Sequence, residues 1–255
     1  MNLKKLFQNL CEKNNFEINP NQLDLIKRLK KYHNQNFNKS FIQKIFSKND
    51  SKSAFYLYGD VGVGKTMILN FFFDQLVEIK LRQHFNEFML SFHDFAYARK
   101  DEKEENMINQ FVKDLKSKTK LIYFDEFQVT NIVDAMILGK LFEVMFKEDI
   151  KIILTSNTKI SELYKEGLQR DQFKPFIKIM EKKSIEYELK IDEDYRKTNN
   201  NQKQRYFYPL NQETNFRINK FFRTITKNKK HSSKIINVKG RDFKIENFYD
   251  GVARF

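Results

Sequence analysis

Residues 54–66 read AFYLYGDVGVGKT, and the fold class predicted for the whole chain follows from this stretch. Its last eight residues match the pattern G-x-x-x-x-G-K-[ST], in which glycines let successive backbone N–H groups curl into a concave nest. An apolar strand pattern precedes the loop and a helical pattern follows it, so a helix N-terminus adds its positive end to the nest. The sequence therefore predicts a phosphate-binding loop made of Gly59, Asp60, Val61, Gly62, Val63, Gly64, Lys65 and Thr66.

Two side chains of this loop have separate predicted roles. Lys65 is expected to reach the β and γ phosphates of a nucleotide, and the Thr66 hydroxyl is expected to bind Mg²⁺. A nucleotide together with Mg²⁺ is therefore the predicted ligand of the loop.

A second apolar run, LIYF at residues 121–124, ends in two carboxylates, Asp125 and Glu126. We expect Asp125 to hold the Mg²⁺ water shell beside Lys65, and Glu126 to polarise the attacking water. Such a run is by itself a common end of a buried strand. Its position about sixty residues after the phosphate-binding loop makes it a functional signal.

Two further polar residues have a predicted role in catalysis and an ordinary alternative. Asn157 follows an apolar run that ends in Thr155 and Ser156, where its side chain can contact the γ-phosphate and orient water; the alternative is a turn-forming asparagine. Arg170 follows a helical pattern, from which it can reach the nucleotide of a neighbouring subunit as an arginine finger. The alternative for Arg170 is an ordinary surface arginine.

Short apolar runs alternate with longer helical patterns along the middle of the chain. This alternation predicts an α/β fold with a parallel sheet that helices cover on both faces. The predicted strands lie at 54–58, 85–90, 121–124, 151–155 and 184–189. The predicted helices lie at 65–81, 94–98, 104–116 and 132–146, with two more starting near residues 161 and 172.

Composition divides the chain into three predicted parts. Residues 1–50 form an N-terminal helical segment, which includes an apolar patch around Phe41, Ile42 and Ile45. Residues 51–196 form the core. The third part, 197–255, begins with KTNNNQKQ, a polar linker composition, and continues into a predicted helix at 213–226 and strand-like pieces at 234–238 and 243–246.

The net charge of +14 is concentrated in the flanks of the chain. Residues 197–241 carry 12 Lys and Arg against 1 Asp or Glu, whereas 51–196 carry 23 against 25. On the predicted C-terminal helix, the basic residues share roughly one face: Arg217, Lys220, Arg223 and Lys227. Such a surface favours acidic partners, which include an acidic protein segment, RNA and anionic lipid. Compositional drift towards Lys, Asn, Ile and Phe is the alternative explanation.

Several classes of protein are excluded or disfavoured by the sequence. An integral membrane protein is excluded because no apolar run reaches about 18 residues. A secretory signal is not expected, and a single cysteine, Cys11, cannot form an internal disulfide. A cytoplasmic location is therefore predicted.

Four segments together resemble the ZapE family of bacterial division ATPases, whose mitochondrial relatives are the lactation-elevated-type ATPases. The segments are YLYGDVGVGKTMILNFFFDQL (56–76), FDEFQVTNIVDAMIL (124–138), TSNTKISELYKEGLQRDQFKPFI (155–177) and DYR (194–196). The resemblance implies an AAA+ P-loop core with sheet order 5-1-4-3-2, ATP hydrolysis, and action on a partner protein, which in the bacterial branch is the division polymer FtsZ. Family members continue past residue 255 through a helical lid, so we expect a truncated chain with an incomplete lid.

Three hypotheses for the function remain at this point. The first is an ATP-hydrolysing AAA+ protein that remodels a division partner, with a homo-oligomer implied if Arg170 is a finger. The second is a truncated module that binds nucleotide without turnover. The third is a nucleic-acid-associated AAA+ protein such as a helicase loader, which the basic flank supports but no base-reading motif does.

Overall fold

The computed structural model describes residues 2–38, 52–191 and 211–254, apart from residues 228 and 239. These residues fall into two compact units, one within Met1–Thr198 and one within Asn199–Phe255. The predicted helical patch at 41–45, the DYR motif at 194–196 and the linker at 197–204 lie outside the described residues. The boundaries at residues 50 and 196 stay predictions.

The first unit is built on a five-stranded parallel sheet, as the sequence predicts. The order β2-β3-β4-β1-β5 is the predicted order 5-1-4-3-2, counted from the other edge. The strands are β1 (Ala54–Tyr58), β2 (Lys80–His84), β3 (Leu121–Asp125), β4 (Lys151–Ser156) and β5 (Ser184–Glu188). The inner strands are buried along almost their whole length because helices cover both of their faces, whereas the edge strands are half exposed.

Successive side chains of the central strands enter two different hydrophobic cores, because strand side chains alternate between faces. Tyr56, Phe124 and Leu154 lie in one core, and Phe55, Tyr123 and Ile153 lie in the other. The helices of this unit are α1 (Leu3–Lys13), α2 (Pro20–Phe37), α3 (Lys65–Asp74), α4 (Phe85–Tyr97), α5 (Glu104–Lys118), α6 (Ile132–Lys147) and α7 (Arg170–Lys183).

The predicted strand at 85–90 is wrong, because these residues begin helix α4. Its buried side chains are Phe85, Phe88, Met89 and Phe92, which recur at helical spacing and fill the first core. The true second strand, Lys80–His84, is an edge strand with little apolar content, so it carries almost no sequence signal. Helix α3 accordingly ends at Asp74, earlier than the predicted residue 81.

The N-terminal helices pack directly on the sheet. Asn19 caps α2 by accepting a hydrogen bond from the backbone of Asn21, and Pro20 occupies the first helical position. The buried Tyr32 hydroxyl donates to the carbonyl oxygens of Ser53 and Ile152 at 2.8 and 3.2 Å. Helices α1 and α2 therefore share the second core with the strands.

The second unit combines a helix with a small antiparallel sheet, and it confirms the predicted helix and both strand-like pieces. Its elements are α8 (Gln212–Ile225), β6 (Ser232–Val238), β7 (Arg241–Tyr249) and β8 (Val252–Arg254). Of the larger apolar side chains of α8, Phe222 is buried, while Phe216, Phe221 and Ile225 are exposed. Across the described parts of both units, no helix is long and apolar enough to cross a bilayer.

Candidate nucleotide-binding site

The phosphate-binding loop connects β1 to α3 and depends on three glycines with positive φ. Their φ angles are 150° for Gly59, 94° for Gly62 and 86° for Gly64, conformations that side chains disfavour. A Cβ atom at Gly59 would lie 2.4 Å from the Leu189 carbonyl oxygen. The chain can therefore turn sharply from the strand into α3, which places the helix N-terminus at the loop.

The Lys65 ammonium group lies inside the loop. It donates hydrogen bonds to the carbonyl oxygens of Gly59 and Asp60 at 2.6 and 2.7 Å, and to Asn157 Oδ1 at 2.9 Å. Lys65 is only 8% exposed. The fold thus brings together Lys65 and Asn157, two site residues that the sequence predicts separately.

The Asp125 carboxylate is held from several sides at the end of β3. Oδ1 accepts from the hydroxyls of Thr155 at 2.6 Å and Thr66 at 3.2 Å, and Oδ2 accepts from Arg82 at 2.8 Å. Burial alone would raise the pKa of Asp125, but hydrogen bonds from Thr155, Arg82 and Thr66 outweigh it and hold the pKa below its usual value. Asp125 is therefore ionised at neutral pH.

The donor set at this position fits Mg²⁺. A hydroxyl and an ionised carboxylate are hard oxygen ligands, and a magnesium ion in a nucleotide site needs only one or two such protein ligands. Thr66 and Asp125 are already in contact. Thr66 and Asp125 would therefore hold the predicted cation.

Glu126 lies directly after β3 in an unusual backbone conformation. Its φ of 55° is in the left-handed region, and its side chain is exposed. A cavity of about 410 Å³ lies beside it. The cavity is lined by Val61, Lys65, Thr66, Glu126, Phe127, Gln128, Val129, Thr155, Ser156, Asn157, Thr158, Glu162, Leu163 and Tyr164.

A family model for AFG1-like ATPases matches residues 6–255 of the chain. The chain belongs to the AFG1-like ATPase family. Three relatives lie at 32–34% identity. An uncharacterized protein of Schizosaccharomyces pombe is 34% identical, over 67% of this chain and 41% of the relative. Lactation elevated protein 1 homolog B of Danio rerio is 33% identical, over 78% of this chain and 42% of the relative. Cell division protein ZapE of Escherichia coli K12 is 32% identical, over 76% of this chain and 52% of the relative. This AFG1-like chain thus spans about half the length of these relatives.

Arg170 of this AFG1-like chain lies outside the cavity lining. It is the first residue of α7 and half buried, and its guanidinium donates to the Ser161 carbonyl oxygen at 2.8 Å. Its Nε is buried and has no hydrogen-bond partner among the residues that the structure describes. The role of Arg170 as an arginine finger towards a neighbouring subunit stays a prediction.

Sequence reasoning did not assign roles to three residues that contact the site. Thr155 and Arg82 bind Asp125, and the buried Gln22 of α2 donates to the Val63 carbonyl oxygen at 3.4 Å. Thr155 could have been found from its position two residues before Asn157. Arg82 could not be identified because the second strand was predicted at the wrong position. Gln22 could not be identified because it lies on a helix that is distant in sequence from the loop.

Proposed function

We propose that this AFG1-like chain binds ATP with Mg²⁺ and hydrolyses it to ADP and phosphate. The observation that carries the proposal is the convergence of Lys65, Thr66, Glu126 and Asn157 on the same cavity. These residues come from three separate segments, and all lie at the carboxyl edge of the parallel sheet, where ligands of α/β proteins bind. The family match supports the same activity.

Each residue has a distinct chemical role in this proposal. Lys65 exchanges its contacts with loop carbonyl oxygens for contacts with phosphate oxygens. Thr66 and Asp125 hold Mg²⁺, which neutralises phosphate charge when bound. Glu126 accepts a proton from the attacking water and Asn157 orients that water. As the water oxygen bonds to the γ-phosphorus, the bond from that phosphorus to the bridging oxygen breaks and ADP leaves.

A steady-state phosphate-release assay with ATP tests this function, with and without Mg²⁺ and with and without nucleic acid. We expect release that depends on Mg²⁺ and does not depend on nucleic acid. ATP-dependent stabilisation without phosphate release would instead indicate a binding module without turnover. Release that rises with nucleic acid would favour a helicase-loader-like role, which the basic flank supports.

Arg170→Ala is expected to lower ATPase activity without changing the affinity for ATP, if the chain assembles. An arginine finger that stabilises transition-state charge raises kcat by about 10³–10⁵-fold, so the loss of activity should be large. Activity per subunit should also rise with protein concentration in the wild-type protein. Lys174→Ala is a control, since Lys174 lies one turn further along α7 and pairs with the exposed Asp171.

Two results would together remove the finger role of Arg170. They are wild-type activity per subunit that does not depend on protein concentration, and Arg170→Ala activity equal to that of the wild type. Arg170 would then be a structural residue whose function is its contact with Ser161.

We further propose that ATP hydrolysis acts on a partner protein of the FtsZ type, in the cytoplasm. The resemblance to the ZapE family implies this partner, and the Escherichia coli relative is named a cell division protein. The described α8 helix presents exposed basic residues beside exposed Phe216 and Phe221, a combination suited to an acidic protein segment.

Replacing Arg217, Lys220 and Arg223 with Glu is expected to abolish FtsZ binding while leaving ATP affinity intact. Binding through this face should also weaken steeply as salt rises, because salt screens exposed charges. Sedimentation with FtsZ polymers at increasing salt measures both effects. The matched control is Lys4, Lys5 and Lys13 replaced with Glu, which changes net charge equally on the exposed side of α1.

Binding of the wild type and the triple variant to RNA and to anionic vesicles distinguishes the other candidate partners. Wild-type binding to RNA or to anionic vesicles that the triple variant loses would reassign the surface to that partner. If the triple variant binds FtsZ normally, and the wild type binds neither RNA nor anionic vesicles, the basic surface reflects composition alone.

A further inference from the structure

The Thr155 hydroxyl connects the two carboxylate residues of the site. It donates to Asp125 Oδ1 at 2.6 Å and accepts from the Glu126 backbone N–H at 3.0 Å. Thr155 is 2% exposed, so its hydroxyl is largely shielded from bulk solvent. A hydroxyl has one proton, and the Glu126 N–H can only donate. The hydroxyl proton is therefore committed to Asp125, and both hydrogen bonds have a defined direction.

The hydroxyl acts where the regular pairing between β3 and β4 ends. The last paired residues are Phe124 and Leu154. Beyond them, the Glu126 N–H bonds to the side chain of Thr155, and the Phe127 N–H bonds to its carbonyl oxygen at 2.7 Å. Two consecutive backbone groups after Asp125 are thus anchored on a single residue of the neighbouring strand.

This anchoring coincides with the left-handed conformation of Glu126, whose φ is 55°. A residue other than glycine adopts that conformation only where its surroundings impose it. The conformation turns the chain out of the line of β3, and the Glu126 side chain becomes part of the cavity lining. Two side chains of β4 support this turn: Thr155 accepts from the Glu126 N–H, and the Ser156 hydroxyl donates to the Phe127 carbonyl oxygen at 2.9 Å.

We propose that Thr155 is a positioning residue of this site, which orients both the Asp125 carboxylate and the Glu126 backbone through one hydroxyl. Its proposed effect on the reaction is exerted through these two residues. The proposal rests on the proposed ATPase function, because positioning has a consequence only if Asp125 and Glu126 take part in it. A purely structural role for Thr155 would affect stability and nothing else.

Thr155→Val tests the proposal because it removes the hydroxyl and keeps nearly the same shape. We expect a fall in kcat of about 10- to 100-fold, the usual effect of losing a group that orients a metal ligand, with little change in KM for ATP. The melting-temperature shift caused by ATP should also require more Mg²⁺ than in the wild type. Thr155→Ser restores the hydroxyl and is expected to restore kcat and the Mg²⁺ requirement.

The matched control is Thr119→Val. Thr119 is equally buried, and its hydroxyl donates to the Leu121 carbonyl oxygen at 2.8 Å, at the opposite end of β3. This control loses a buried hydroxyl and some stability, but it should keep wild-type kcat and Mg²⁺ dependence. If Thr155→Val does not fold, Thr155→Ala is compared with Thr155→Ser in the same assays.

Three results overturn the proposal, and they are distinct from failure of the proposed function. The first is wild-type kcat and Mg²⁺ dependence in Thr155→Val with only a lowered melting temperature, which assigns Thr155 a structural role. The second is a Thr155→Ser variant as defective as Thr155→Val. The third is wild-type protein that binds nucleotide without hydrolysis while Thr155→Val keeps the same Mg²⁺ dependence of binding. Wild-type protein that neither binds nor hydrolyses ATP contradicts the proposed function, and the positioning role with it.

Discussion

The Lys65→Ala variant is expected to show no rise in melting temperature when ATP and Mg²⁺ are added. In the wild type, ATP at about 100 times its Kd should add about 2.7 kcal/mol to the free energy of unfolding. For a chain of this size that corresponds to a rise of about 5–10 °C. Lys65 is buried inside the phosphate-binding loop, where its ammonium group contacts three oxygen atoms, so its removal leaves phosphate without that cation.

Lys151→Ala is the matched control for Lys65→Ala, measured by differential scanning fluorimetry at several ATP concentrations. Lys151 is similarly buried, pairs with Asp149, and lies at the end of β4 away from the loop. This control should lose stability without nucleotide and keep the ATP-dependent rise. If ATP stabilises Lys65→Ala as much as the wild type, the nucleotide binds elsewhere.

The Glu126→Gln variant is expected to bind ATP normally and to release phosphate at least about 100-fold more slowly, the range typical of a lost general base. The amide keeps the shape of the side chain but cannot accept the proton from water. The Glu126 side chain is exposed, and its backbone bond to Thr155 is unchanged by the substitution. Single-turnover phosphate release and equilibrium binding of a fluorescent ATP analogue measure the two effects separately.

Glu162→Gln is the control for Glu126→Gln. Glu162 also lines the cavity, but it lies in a short 3-10 helix, Ile160–Glu162, and not directly at the end of a strand. It should retain wild-type phosphate release. Loss of ATP binding in Glu126→Gln would show that Glu126 supports the structure of the site. An equal loss of phosphate release in both variants would show that the reaction depends on the negative charge of the cavity and that Glu126 is not a specific general base.

The inner strands and the phosphate-binding loop could be predicted because their signals are local. β1, β3 and β4 are short apolar runs, and the loop is a contiguous pattern whose glycines carry the required positive φ angles. The edge strand β2 could not be predicted, because half-exposed residues such as Lys80 and Arg82 have no apolar pattern. The phenylalanines that follow β2 were mistaken for a strand because a short apolar run fits either structure.

Local patterns in the sequence are sufficient for the inner strands, the phosphate-binding loop, and the residues proposed to bind phosphate and Mg²⁺. The order of the sheet was predicted from the family resemblance, and the structure confirms it. Contacts between distant segments arise from the fold alone. Thr155 meets Asp125 across 30 residues, Arg82 meets it across 43, and Gln22 meets the loop across 41. Strand register and helix packing determine these contacts. Contacts between residues so far apart in sequence produce no periodic pattern from which they could be predicted. The Thr155 hydroxyl acquires its two defined hydrogen bonds only when β4 lies beside β3.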